Sequence, residues 1–452
     1  MSLEQRLAEF IQRVSYDDLD EETIKTVKRQ LAAFFGALIA GSSTNATAVA
    51  EYTKEVGGKP EATVFVIGGR IPAHQAAFTN AAIGRALDID DHISPGAHIG
   101  SAVIPAAFAV AELICGCSGK DLITAIAAGT EVSLRLLLDE NDYAGFDPTG
   151  VSAVFATAAA TSKILGFDEF MTRNTLGLIS DRSGASYQHY IDGVMGGPLM
   201  EGWVAQAGVD CARLTQKGLT GTVNFLEGVY GYFHLFGRDK EDLSYVTADL
   251  GNKWHLRNLN FKKYPSCGMT QGSTELILKM MEKYSFTADD VERIKIRIPP
   301  YAFKLVGHPF KVGDNPRVDA QFNVAYCVAN ALIRAPVILS HFDAEFISDL
   351  RISQFVHNNI EVVSDVSVDR THYSSDIHVQ IKGGNEYHGQ IDIPPGTPAN
   401  PMSDEEHRRR FFDCVEYSGK SWLKGREEEI LDCIETLETK DDACGIIPLF
   451  QP

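Results

Sequence analysis

Residues 291–300 read Val-Glu-Arg-Ile-Lys-Ile-Arg-Ile-Pro-Pro. Apolar and charged side chains alternate there with a period of two, as a half-exposed strand requires, and the proline pair stops it. The same texture returns over residues 360–368 and 378–393, the second split by Gly383-Gly384 as a hairpin turn would be. Between these stretches, residues 318–333 predict one buried helix and 349–358 a more polar one. Helices with a mainly antiparallel sheet predict a small α+β domain.

On the N-terminal side, up to about residue 235, the texture is helical. Asp18, Asp20, Glu21 and Glu22 precede the periodic run 24–39, which places acids near the positive end of a helix dipole. Residues 62–71 predict a short hairpin. Residues 73–87, 100–115, 121–138 and 150–165 are rich in alanine and other small residues, which suits helices packed closely on several sides. After Pro394, Pro395, Pro398 and Pro401 the chain returns to helix. Ser403 stands three residues before Glu406, as in a capping box, ahead of residues 407–417, and a second helix covers 425–437. Both are expected to close back onto the first half. The expected fold is therefore mainly α, with a large all-helical domain formed by both chain ends, 1–258 and 397–452. A smaller α+β domain, 259–396, is inserted between them.

The length of 452 residues fits this division, because one core rarely grows past about 250 to 300 residues. With 41 Lys and Arg against 60 Asp and Glu, the formal charge is −19, which argues against a nucleic-acid partner. The N-terminal MSLEQRLAEFIQRV carries acids inside its first apolar stretch, so it does not read as a secretory signal. Gly, Ser or Thr interrupts each Ala-rich run before it reaches the roughly 18 residues of a membrane span. No membrane association and a cytoplasmic location are the expectation. The eight cysteines form neither a CxxC repeat nor a Cys/His ladder, so no disulfide framework or zinc site is expected. Cys115 and Cys117, the one close pair, are expected to be buried structural thiols.

The densest polar cluster in an apolar region is Arg85-Ala-Leu-Asp88-Ile-Asp90-Asp91-His92, with His98 six residues later. Charge between two Ala-rich helices is costly unless it faces a cavity. Asp88 with His98 is a reasonable acid/base unit, since a carboxylate orients an imidazole and raises its pKa. The alternative is that Asp90 and Asp91 satisfy backbone N–H groups at a helix end or loop. The ligand alternation of an EF-hand is missing, and no metal is expected. A second constellation, Phe261-Lys262-Lys263-Tyr264-Pro265-Ser266-Cys267-Gly268, precedes a helix, where Lys262 and Lys263 suit a substrate carboxylate or simply a solvated surface. Tyr326 lies on the buried helix of the second domain, either as a phenol facing a cleft or as a core residue bonded to backbone. No phosphate-loop glycine pattern occurs, which disfavours nucleotide binding.

Several of these segments together resemble one family. RALDIDDHISPGAHIGSAVIPAAFAVAE is similar to the H-A-x-D-x-D-D … H-P-G signature of the MmgE/PrpD family, which includes 2-methylcitrate dehydratase, cis-aconitate decarboxylase and iminodisuccinate epimerase. GFDPTG resembles its helix-opening G-F-H-P-T, KKYPSCG its K-x-Y-P-S-C loop, DAQFNVAYCVANAL its Q-F-S-x-x-Y helix, and PANPMSD its N-P-M-S tail. The matches run in order from about residue 80 to 415. The resemblance implies that the inserted domain is a lid and that the enzyme is a homodimer using no metal or organic cofactor. It also implies that the substrate is a small polycarboxylate, attacked beside a carboxylate. Carried over by position, Asp88, His92, His98 and Tyr326 are the expected catalytic residues, with Arg85, Lys262 and Lys263 on the substrate.

The departures bear on substrate. Asp147 stands where the family usually has His, Gly197-Pro198-Leu199-Met200 where it often has Lys-Arg-Leu-His, and Gln271 where the lysine loop has a downstream His. Fewer cations leave a tricarboxylate's charges desolvated without partners, so a tricarboxylate is expected to bind poorly. Arg182, close in sequence to the altered run, is expected to compensate as a bidentate carboxylate holder. The expected activity is that of a lyase of hydratase or dehydratase type. The rivals are a dicarboxylate epimerase or isomerase, and a relative that binds a small acid without turning it over.

Overall fold

The computed structural model describes residues 1–139, 142, 144–240 and 242–452. The fold is mainly α. Two compact units divide the chain: the first comprises Met1–Tyr187, Gly196–Leu259 and Cys414–Pro452, the second Gln188–Met195 and Asn260–Asp413.

The first unit is built of helices, chief among them Glu21–Gly41, Ala73–Arg85, Gly100–Leu113, Gly119–Leu136, Pro148–Ile164 and Gly196–Gln216. Asp20 caps the first of these by accepting from the Thr23 amide, and Asp147 caps Pro148–Ile164. Small residues let the axes approach. A Cβ on Gly208 would lie 2.4 Å from the Thr157 side chain, so helices Gly196–Gln216 and Pro148–Ile164 meet at a spacing only glycine allows. Ala62–Thr63 pairs antiparallel with Arg70–Ile71, the hairpin the sequence predicts. The C-terminal helix Glu427–Glu435 packs on Glu21–Gly41, and Phe450 stacks on Phe35 with ring centroids 4.2 Å apart. That stack ties the last residues of the chain to the core of its first half.

The second unit contains a four-stranded sheet in the spatial order Ile360–Ser364, Val291–Ile298, Ser375–Ile381, Glu386–Ile391. The period-two reading of residues 291–298 is realised directly: Ile294, Ile296 and Ile298 are buried while Arg293, Lys295 and Arg297 face outward. Arg293 and Arg297 each pair with a carboxylate, Glu361 and Asp365, at 2.7 Å. Helix Gly268–Tyr284 covers the inner face with Leu276, Ile277 and Met280. Ile360–Ser364 joins the sheet in parallel, the other two pairings being antiparallel.

Two local expectations need correcting. Residues 318–333 are not one helix: Pro316–Gln321 stops and Val324–Arg334 begins afresh, because Asn323 leaves the helical conformation and its side chain accepts from the Tyr326 amide. Cys115 is exposed and Cys117 half-buried. Helix Gly100–Leu113 ends before them, and Cys115 turns outward in the left-handed region at φ +66°. All eight cysteines are free thiols. Among the described residues, no single helix is long and apolar enough to cross a membrane.

Candidate active site

Helix Ala73–Arg85 delivers its last residue, Arg85, into the interior of the first unit, where the side chain is almost fully buried. The chain then turns tightly. The Asp88 amide donates to the Arg85 carbonyl at 3.2 Å, and Asp88 takes a left-handed backbone, φ +54°, which aspartate tolerates better than most residues. The turn brings the Asp88 carboxylate back onto the guanidinium, Nη1 to Oδ1 2.5 Å. A non-glycine residue held in this region inside a polar cluster is strain of the kind found at functional sites.

The next two carboxylates have separate tasks, although both are fully buried. Asp91 binds the start of helix Gly100–Leu113, accepting from the Gly100 amide at 3.1 and 3.2 Å and from Gln30 Nε2 at 3.0 Å. A Cβ on residue 100 would lie 2.1 Å from Asp91 Oδ1, so this approach needs glycine. Burial, then the neighbouring Asp90 charge, pushes the Asp91 carboxyl up to about 7. Asp90 instead serves the histidine. Its Oδ2 accepts from Ser101 Oγ at 2.7 Å and its Oδ1 lies 3.1 Å from His98 Nδ1.

His98 is held on three sides. Its amide donates to Thr149 Oγ1 at 2.9 Å, Nδ1 meets Asp90, and Nε2 is 3.1 Å from Arg85 Nη2. A guanidinium only donates, so Nε2 is the acceptor and the ring proton sits on Nδ1, facing Asp90; the network assigns this tautomer. Asp88 Oδ1 stands 3.7 Å from Nε2. The His92 ring is 6.2 Å from that of His98, centroid to centroid. Ligand atoms of Asp88, Asp90 and His98 lie within 4.8 Å of one another, a grouping a divalent ion could use. Arg85 already supplies positive charge to Asp88 and His98 at that spot.

Sequence reasoning missed Glu201, on helix Gly196–Gln216. It is fully buried, with Oε1 3.7 Å from Arg85 Nε. Burial pushes its carboxyl well above the usual range; Arg85 opposes the shift, and Asp90, Asp147 and Asp91 add to it. One signal could have found it: Glu201 is the sole charged residue between Asp192 and Asp210. The sequence pairs Asp88 with His98 and offers Asp90 only as a helix-end or loop residue, whereas Asp90 is the carboxylate on Nδ1; spacing alone does not say which of the two reaches it.

Of the other expected residues, Arg182 is exposed beyond the end of helix Glu169–Ser180, where its charge is felt by Asp210 and Cys211. It faces the protein surface. Asp147 accepts from the Thr149 and Gly150 amides at 2.8 and 3.3 Å, a helix cap in place of an imidazole.

In the second unit, Lys262 is buried. Lys263 is engaged by Glu275 and Glu406 at 3.2 and 3.1 Å, which neutralise it as an anion holder. Gln271 shapes the loop: its Oε1 accepts from the Lys263 and Tyr264 amides and its Nε2 donates to the Tyr264 and Ser266 carbonyls. Tyr326 is fully buried, and its hydroxyl donates to the His341 carbonyl at 2.6 Å. That makes it a core tyrosine bonded to backbone.

Known proteins resemble this chain over nearly its whole length. The cis-aconitate decarboxylase of Mus musculus is 24% identical over 465 residues, covering 99% of this chain and 92% of its own. That of Homo sapiens is 24% identical over 99% and 94%, and that of Aspergillus terreus 25% over 85% and 82%. Residues 5–243 match the MmgE/PrpD N-terminal domain and residues 264–436 the MmgE/PrpD C-terminal domain. Two domain models in sequence, together with relatives aligned nearly end to end, leave one assignment: the chain belongs to the MmgE/PrpD family.

Proposed function

We propose that the protein is a lyase acting on a small di- or polycarboxylic acid, moving a proton at the carbon beside a carboxylate, with dehydration or hydration as its reaction. The observation that carries this is the buried His98, whose Nδ1 proton is fixed on Asp90 and whose unprotonated Nε2 accepts from Arg85 Nη2. In the reaction Arg85 releases Nε2, which takes the substrate proton. The imidazolium formed is then paired by Asp90 on one side and by Asp88, 3.7 Å from Nε2, on the other. Membership of the family and relatives named as decarboxylases of an unsaturated acid support a lyase class. Lys262 is retained as the residue that offsets carboxylate or enolate charge. Homodimeric assembly and a cytoplasmic location belong to the same proposal; sedimentation and fractionation test them.

A second reading, a dicarboxylate epimerase, is favoured by His92 standing 6.2 Å from His98, since epimerisation needs two proton-transfer groups. One set of assays separates the readings. Incubation with malate, citramalate, citrate and cis-aconitate is followed by alkene absorbance, carbon dioxide release and deuterium uptake from solvent. Alkene formation or loss supports the dehydratase, and exchange without alkene the epimerase. An active preparation in which His98→Asn keeps full turnover would end both.

A further inference from the structure

Glu201 is difficult to explain as packing. Its helix neighbours Met200, Val204 and Ala205 are buried apolar residues, and an apolar side chain of the same length would fit that pattern at lower cost. Among the described residues neither carboxyl oxygen has a hydrogen-bond partner, and the Arg85 Nε contact at 3.7 Å is too long to be one. The other carboxylates around Arg85 are all employed: Asp88 on the guanidinium, Asp90 on His98 and Ser101, Asp91 on Gly100 and Gln30, Asp147 on its helix start.

The second observation is placement. One planar guanidinium touches both His98, through Nη2 at 3.1 Å, and Glu201, through Nε at 3.7 Å. A group fitted to accept a proton and a carboxyl with none of its hydrogen bonds made therefore flank the same cation. Burial and the charges of Asp90, Asp147 and Asp91 favour the protonated form of Glu201 against the pull of Arg85. Environments that separate two titratable groups in this way are the usual signature of an acid and base pair.

We propose that Glu201 is a further catalytic residue, the general acid that protonates the departing hydroxyl group. This rests on the dehydratase reading above. His98 Nε2 takes the proton from the carbon beside the carboxylate, and the C–H electrons become the new C=C bond. The C–O bond at the next carbon breaks, and its electron pair leaves with oxygen. Glu201 gives that oxygen its proton, releasing water. The carboxylate left behind is stabilised by Arg85, and transfer of the proton from His98 to Glu201 restores the starting state. Hydration runs through the same steps in reverse.

The test uses a leaving group that needs no proton. Wild type and Glu201→Gln, the near-isosteric variant, are assayed on malate, citramalate and citrate and on the chloro analogue of whichever acid is dehydrated, for example chlorosuccinate for malate. Loss of the acid should slow water elimination by about 100-fold or more, while chloride elimination stays within about threefold. Equal losses on both substrates, or no loss on either, would overturn the proposal while leaving the dehydratase reading intact. A wild-type enzyme that dehydrates none of the three acids would overturn both. Deuterium exchange at the carbon beside the carboxylate gives a second readout in case the variant is destabilised: Glu201→Gln should retain it and His98→Asn lose it. Loss of exchange in a folded Glu201→Gln would also count against the assignment.

Discussion

Asp90 Oδ1 lies 3.1 Å from His98 Nδ1, and Ser101 Oγ fixes the other oxygen of the same carboxylate at 2.7 Å. The imidazole is therefore oriented by a carboxylate that is itself oriented, and the one-residue gap between Asp88 and Asp90 separates two tasks. Asp88 belongs to Arg85, at 2.5 Å, while Asp90 belongs to the ring.

Replacing Asp90 by Asn should lower turnover about 100- to 10,000-fold without unfolding the protein, because an amide no longer favours the proton on Nδ1 or pairs the imidazolium. Nitrogen chemical shifts of His98 provide a check independent of any substrate. The wild type should show protonated Nδ1 and unprotonated Nε2. A spectrum with the proton on Nε2 would remove the basis of the mechanism.

Asp91 makes a prediction about pH. Its folded-state value, pushed up to about 7, lies above the roughly 3.9 of an unfolded aspartate. The unfolded chain thus releases its proton first, and Asp91 costs folding stability progressively as pH rises from about 4 to about 7. About 3 pH units correspond to about 4 kcal/mol as an upper bound. Asp91→Asn keeps an acceptor for the Gly100 amide but cannot ionise. Melting temperatures of variant and wild type should converge near pH 4 and separate in favour of the variant by pH 8. Parallel curves across that range would contradict the assignment.

What the sequence reveals, and what it hides, follows from the range of each interaction. Strand Val291–Ile298 and the flanking helices were legible because periodicity is a local signal of which face is wet. Periodicity carries no direction, so the parallel entry of Ile360–Ser364 was not legible. The helix break at Asn323 depends on one side chain capping its own chain, a signal diluted by apolar residues on both sides. In the site, Arg85, Asp88, His92 and His98 stood out because charges crowd between Ala-rich helices. Glu201 comes to Arg85 from 116 residues further along the chain. Only its isolation in an uncharged stretch marked it. Arg182 and Tyr326 show the converse: residue type and position suggested chemistry, while burial and partners gave one to the surface and the other to the core.

Gln271 accounts for a missing imidazole. Its amide accepts twice and donates twice to the main chain of the loop after Lys262, with distances between 2.9 and 3.2 Å. Histidine at this position has one donor and one acceptor when neutral and cannot reproduce the set. Gln271→His should cost about 1–3 kcal/mol of stability through the backbone groups it strands. If Lys262 holds the substrate, the same change should raise KM more than it lowers kcat. Calorimetry and steady-state kinetics on the one variant read both effects, and an unchanged melting temperature would show that the loop does not depend on these bonds.

Tyr326 separates a core role from a catalytic one. Its hydroxyl donates to the His341 carbonyl at 2.6 Å, and Phe310 and Phe342 pack on its ring at 5.1 and 5.6 Å. Removing the hydroxyl as Tyr326→Phe leaves that packing in place and strands one buried carbonyl, a loss of about 1–3 kcal/mol. Burial raises the phenol above its ordinary value, which further disfavours a role as a proton donor near neutral pH. The expected result is a lower melting temperature with kcat within about twofold of wild type. A variant that keeps its stability but loses turnover 100-fold would mean that the phenol leaves His341 when substrate is bound, and would return Tyr326 to the reaction.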